Sequence, residues 1–264
     1  MKRIVLSLFA AIAAAAYAFA AEPAGGARTN GVLCLTFDDR NWERWVAAMP
    51  LFEKYGAHAS FFPHGHLDAR ALECLAALHG KGHTVGPHTL HHADAPAYFA
   101  ERGAEAYWNE QVKPQMDAFA KVGIVPASMA YPNNLRTDET DEFLAKKGFR
   151  HFRAGNRVRP YDKEHAKLAT LKPLAEADEA YMKREALRGT RLLRGVGIGE
   201  AYNTDIDDIC AGIRRAAERG EAIVFYSHDI TPDAATINMK TAWLEKMLAT
   251  AKDAGMDILG FDDL

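Results

Sequence analysis

Short apolar runs alternate along this chain with amphipathic stretches, a pattern that predicts βα units on a largely parallel sheet and hence the α/β class. Strands are expected at residues 31–37, 58–62, 84–86, 127–131, 149–153, 191–196, 222–227 and 256–260, with helices between them. The clearest helix, about 101–121, sets Trp108, Val112, Met116 and Phe119 at helical spacing, with Pro114 placed to bend it and Gly123 closing its end. A second, 205–219, lines Ile206, Ile209, Ile213 and Ala216 along one face, and Gly220 stands just beyond the last turn. Such stripes are core faces. Residues 155–189 are charged, weakly periodic and contain Pro160 and Pro173, so they read as an excursion decorating the sheet.

The N-terminus departs from this rhythm. Lys2 and Arg3 precede an apolar run from Ile4 to Phe19 that ends on the small-residue site Ala18-Phe19-Ala20, the arrangement of a secretory signal peptide over residues 1–20. The run is shorter than the roughly 20 residues a bilayer span needs, so stable membrane insertion after cleavage is not expected; an uncleaved helix is the plainer alternative. Residues 21–30 form a Pro/Gly-containing linker, and residues 31–264 are expected to be one catalytic domain. Removing Lys2 and Arg3 takes the formal charge from −3 to −5, with both signs interspersed, which argues against nucleic acid as a partner. Cys34, Cys74 and Cys210 each lie in an apolar stretch with no CxxC pair and read as small buried side chains. An odd count at distant spacings gives no disulfide framework.

Candidate chemistry collects where apolar runs end. The first ends on Asp38-Asp39, where adjacent carboxylates point different ways, so one can bind a metal while its neighbour serves as a base. A surface turn or helix cap would use the same pair. Residues 86–92 read Gly-Pro-His-Thr-Leu-His-His, placing His88 and His92 four apart, a spacing at which one turn aligns both imidazoles on one ion. Two imidazoles and a carboxylate suit one divalent metal ion, Zn2+ first among them. A third strand delivers His228, which can act as a general acid. The chain holds 11 histidines, and His58, His64, His66, His79, His83, His151 and His165 are read as background.

Taken together, Thr36-Phe37-Asp38-Asp39, His88-Thr89-Leu90-His91-His92, Ala130-Tyr131-Pro132 and Ser227-His228-Asp229 resemble the motifs of the polysaccharide deacetylases, the NodB-homology group or carbohydrate esterase family four. The resemblance covers roughly residues 31–264, and its first two motifs are the specific ones. It implies a distorted (β/α) barrel of fewer than eight strands, a metal held by Asp39, His88 and His92, Asp38 as base and His228 as acid. It further implies an oxyanion donor among Tyr131, Pro132 and Asn133, and an acetylated carbohydrate as substrate. With the leader, a secreted or periplasmic enzyme is expected. A carbohydrate-binding protein without turnover, or an amidase on a small non-sugar substrate, are the alternatives.

Four departures from the family pattern matter. Arg40 stands where the first motif usually has Gly, and with Asn41 is placed to meet substrate. Ala130 stands where the third motif commonly has the Arg that orients the base, leaving Arg136 and Arg153 as replacements. Tyr226 replaces the acetate-lining Leu and alters the acyl pocket. No Asp-Trp motif between Gly155 and Tyr202 supplies a partner for His228. Trp42, Trp45 and Tyr131 are candidates for stacking on sugar rings, with core packing the alternative for Trp45.

Overall fold

A computed structural model describes residues 30–156, 172–233 and 236–264. The signal peptide of residues 1–20, nearly all of the 21–30 linker and the 157–171 part of the expected excursion lie outside the described residues. Seven parallel strands run β3-β2-β1-β8-β7-β5-β4 across one sheet. They are β1 (Val32–Asp39), β2 (Ser60–Pro63), β3 (Thr84–Val85), β4 (Ser128–Ala130), β5 (His151–Gly155), β7 (Leu192–Gly197) and β8 (Glu221–Ser227). Each falls on an expected run, displaced by at most two residues at its start.

The sheet curls into a nearly closed barrel. β3 and β4 are not laddered; they meet through the Ala130 N–H, which donates to the Pro87 carbonyl at 3.3 Å. Gly86 makes that approach feasible, since a Cβ there would fall 2.0 Å from the Ser128 carbonyl oxygen. The expected strand near 256–260 is present as β9 (Asp257–Ile258), parallel to the start of β1.

The excursion is only partly decoration. Within it β6 (Tyr181–Lys183) runs antiparallel to β8 and pairs residues 221–223. β7 takes β8 further on, at Phe225 and Tyr226. The segment therefore completes the sheet where β7 falls short.

Helices pack outside: α1 (Trp42–Tyr55), α2 (Ala69–His79), α3 (Ala95–Arg102), α4 (Ala104–Tyr107), α5 (Lys113–Ala120), α6 (Asp138–Lys146), α7 (Ile206–Arg219) and α8 (Thr241–Asp253). α7 matches its expectation: Asp205 caps it by accepting from the amides of Asp207 and Asp208, and Gly220 ends it in the left-handed region. The single helix expected at 101–121 is instead three pieces. Gly103, at φ 85°, separates α3 from α4, and a π-helical turn, Trp108–Val112, joins α4 to α5. Pro114 sits in the first turn of α5, directly after that π-helical turn. No helix among the described residues is long and apolar enough to cross a membrane.

The period-2 alternation of the strands divides the core. Leu33, Leu35 and Phe37 of β1 join Ile223 and Phe225 of β8 against helix residues such as Phe52, Leu75, Ile213 and Met247. Val32 and Cys34 join Phe62, Ala130, Ala222, Val224 and Phe261 inside the barrel. By the same alternation Asp38 is the next interior position but one above Cys34, and Tyr226 the next above Val224. The three cysteines are buried and unbridged.

Candidate metal centre and active site

The C-terminal ends of the strands surround a cavity of about 390 Å³ lined by Asp38, Asp39, His88, His92, Tyr131, Asn133, Asn134, Arg153, Tyr202, Tyr226, His228 and Ile237. Loops at that end of a parallel barrel are where side chains converge without interrupting the sheet. The backbone around it is unusually strained. Asp39, Thr89, His92, Asn133 and Asn134 all have φ between 52° and 84°, and they are five of the seven non-glycine residues with positive φ among the described residues. Each such conformation costs on the order of 1–3 kcal/mol and persists only where surrounding contacts enforce it.

Asp39, His88 and His92 present ligand atoms that lie within 4.8 Å of one another. Asp39 Oδ1 is the hub, 4.0 Å from His88 Nε2 and 3.9 Å from His92 Nε2. The His88 Nδ1 lies 2.9 Å from the Ala130 carbonyl, which can only accept, so Nδ1 carries the proton and the Nε2 lone pair faces Asp39. Burial pushes the His88 pKa well below its usual value and keeps the ring neutral, as a ligand must be. One carboxylate and two neutral imidazoles, spaced around a point and backed by a fixed tautomer, fit a divalent cation.

Asp38 turns the other way, into the barrel, and is 3% exposed. Its Oδ2 is gripped by the Arg153 guanidinium, and Oδ1 is buried with no protein partner. Of the two arginines that the sequence offered beside Asp38, Arg153 is the one that reaches it. β4 and β5 pair Ala130 directly with Arg153, so the guanidinium enters the barrel at the same level from the neighbouring strand, and the small Ala130 leaves it room. Arg153 also donates to Asn134 Oδ1 and lies 4.7 Å over the Tyr226 ring. Burial lowers its pKa to about 10, still well above neutral, so it remains a cation. Arg136, the other candidate, is turned outward to Asp138 and Asp141.

His228 stands across Asp39, its Nε2 3.9 Å from Oδ2. No carboxylate takes its Nδ1; the Ile237 carbonyl does, at 3.1 Å. Its own carbonyl accepts from Trp45 Nε1 at 2.8 Å, and the adjacent Asp229 is paired with Arg44. Burial lowers the His228 pKa, an effect the Asp39 carboxylate opposes.

Several expected substrate contacts are placed differently. Trp45 is fully buried, packed 5.2 Å from the Phe61 ring. Tyr131 is also fully buried: its ring packs 5.5 Å from Phe152 and its hydroxyl donates to Asp141 at 2.7 Å, so it offers no face to a sugar. The Tyr131 N–H is engaged by the Arg153 carbonyl at 3.0 Å and Pro132 has no N–H, which leaves Asn133, at φ 52°, as the donor of that turn. Pro132 and Arg40 do not line the cavity; Pro132 is buried, and the exposed Arg40 lies 5.7 Å over the Trp42 ring. Tyr226 does line it, with its hydroxyl accepting from Asn134 Nδ2 at 3.2 Å.

Sequence reasoning missed Asn134, one residue past the Asn133 it named, Tyr202 and Ile237, whose loops carry no motif, and His64. The His64 Nε2 lies 4.0 Å from the same Asp39 Oδ1. One signal pointed to it: His64 directly follows a strand, at the end of the barrel where sites are built.

The structure is similar to the chitin deacetylase of the fungus Colletotrichum lindemuthianum, at TM-score 0.57 and 14% identity over 89% of this chain and 87% of that one. It is likewise similar to a polysaccharide deacetylase of Bacillus cereus (0.55, 18%, 87% and 91%) and to the family 4 carbohydrate esterase of Streptomyces lividans (0.54, 17%, 86% and 91%). At these identities the likeness is one of fold. No curated protein matches the sequence. The family model described as polysaccharide deacetylase matches residues 25–152, the stretch that carries Asp38, Asp39, His88 and His92, and marks that stretch as a polysaccharide deacetylase domain.

Proposed function

We propose that this chain is an exported, metal-dependent hydrolase that removes acetyl groups from N-acetylated carbohydrate. The observation that carries the reading is the division of labour between two adjacent carboxylates: Asp39 faces His88 and His92, while Asp38 is locked by Arg153 one step inside. A divalent cation held by Asp39, His88 and His92, Zn2+ by the donor set, supplies polarisation of the acyl carbonyl and acidification of water when bound.

The protein's own groups do the rest. Arg153 pairs with Asp38 and aims it, so Asp38 accepts the proton of the attacking water. The Asn133 N–H faces the developing oxyanion. His228 hands a proton from Nε2 to the departing sugar nitrogen; with Nδ1 bound to the Ile237 carbonyl, Nε2 carries a proton only in the charged ring, a form favoured by Asp39. Tyr226 and Asn134 put polar atoms on a wall where the family has an apolar one.

Purified chain supplied with Zn2+ is expected to release acetate from at least one of chitooligosaccharides, peptidoglycan or acetylated xylan. Release from none of them, with ion bound, would favour a binding protein. Export rests on the apolar run of residues 4–19, and the N-terminal sequence of protein recovered outside the cytoplasm checks it.

A further inference from the structure

His64 occupies the turn after β2, and its backbone is pinned from three directions. Its N–H donates to the Asp39 carbonyl at 3.2 Å, and the next N–H, of Gly65, donates to the Thr89 carbonyl at 3.1 Å. The buried Gln115 side chain donates Nε2 to the carbonyls on either side of it, Pro63 at 3.0 Å and Gly65 at 3.1 Å. Gln111, in the π-helical turn just before α5, holds the other histidine turn by accepting the His91 N–H at 3.1 Å. One helical segment therefore clamps both loops, which carry His64 and His92 toward Asp39. A π-helical turn, which adds a residue to the helix, is a known device for aiming side chains at a functional site.

The imidazole of His64 is, by contrast, untethered. Its Nδ1 is buried and has no hydrogen-bond partner, while Nε2 stands 4.0 Å from Asp39 Oδ1, the same distance as His88 Nε2. The ring meets His92 edge-on, with centroids 5.4 Å apart. A buried polar atom without a partner is unfavourable, and neutral imidazole nitrogen is a metal ligand.

We propose that His64 is a fourth protein donor to the cation site, its ring turning to bring Nε2 beside those of His88 and His92. The inference rests on the reading that Asp39, His88 and His92 hold a divalent cation. Three imidazoles and one carboxylate favour borderline ions such as Zn2+ and Co2+ over hard, oxygen-seeking Mg2+ or Mn2+, and leave fewer positions for solvent.

The test uses the full chain stripped with a chelator. Zn2+ and Mn2+ affinities are measured by competition with a chromophoric chelator for the unaltered chain, His64→Ala and His64→Gln, with the Co2+ visible spectrum recorded for each. X-ray absorption on the Zn2+-loaded unaltered chain counts imidazoles without any substitution. Expected are three imidazoles, a Zn2+ affinity at least tenfold weaker in both variants, a smaller loss for Mn2+ and altered Co2+ bands. Two imidazoles, or variants with unchanged Zn2+ affinity and Co2+ bands, would overturn the role of His64 while leaving the cation site standing. Failure of the unaltered chain to take up any ion would instead overturn the cation reading.

Discussion

His83 and His88 stand five residues apart at the two ends of β3, both 2% exposed, and in both burial lowers the pKa, in His83 to about 4. The roles proposed for them are opposite. His83 is ringed by Phe52, Phe61 and His58, and its Nδ1 accepts the Ala59 N–H at 3.0 Å, so the proton sits on Nε2. His88 has its proton on Nδ1, held by the Ala130 carbonyl, and presents a bare Nε2 to two carboxylates. Burial and depressed basicity therefore do not distinguish a ligand from a packing residue. The tautomer does, and it is set by whether the backbone offers Nδ1 a carbonyl or an amide.

The contrast extends beyond these rings: His88's end of the barrel contains a buried ion pair, strained backbone and an open cavity, whereas His83 is enclosed by aromatic packing. Asp38→Asn tests the catalytic end most severely, since loss of a general base lowers kcat by roughly 10²–10⁴. Metal content, measured alongside acetate release, is expected to stay at the unaltered level. Full activity in this variant would remove the base assignment.

Arg153→Met leaves a buried carboxylate unpaired and is expected to lower unfolding free energy by about 3–5 kcal/mol. In the Asp38→Asn background the same change should cost less, because no charge remains to strand; equal losses in urea titrations would show that the pair is not coupled.

A direct swap of the two histidines sharpens the tautomer argument. His88→Ala should weaken divalent-ion binding more than the roughly 10–100-fold that loss of an outer partner costs, whereas His83→Ala should leave it unchanged. Calorimetric titration of both variants reads the difference.

The smallest effect is a slope. The folded state holds His83 near 4 while the unfolded chain protonates it near 6.5, so its contribution to stability is complete above pH 6.5 and is lost as pH falls toward 4, where the unfolded state binds the extra proton. The loss is at most about 3 kcal/mol. His83→Phe should flatten the fall in stability over that window, and an unchanged slope would assign it to other groups.

Much of the site was legible because its chemistry is local. Asp38 and Asp39 end an apolar run, and the four-residue step from His88 to His92 sits on one turn, so residue type and spacing suffice. Alternation along β1 already implied that the two carboxylates face different ways. The replacement for the family arginine was narrowed to two residues and no further, because Arg136 and Arg153 differ only in which strand carries them and which neighbour that strand meets. His64 and His83 looked alike as lone histidines. The break at Gly103 was overlooked because the apolar stripe that marked the helix, Trp108 to Phe119, lies wholly beyond it and does not fix where the helix starts.

What the sequence determined, then, is periodicity: where strands and helices run, which positions alternate inward, and which reactive side chains end each strand. These depend on neighbours a few residues away. Tertiary structure alone decided that Arg153 meets Asp38 beside Ala130, that Tyr131 turns its ring into the core, and that His64 comes within 4.0 Å of Asp39. Each depends on strand register and barrel closure, which bring together residues far apart in the chain; Asp38 and Arg153 are separated by 115 positions.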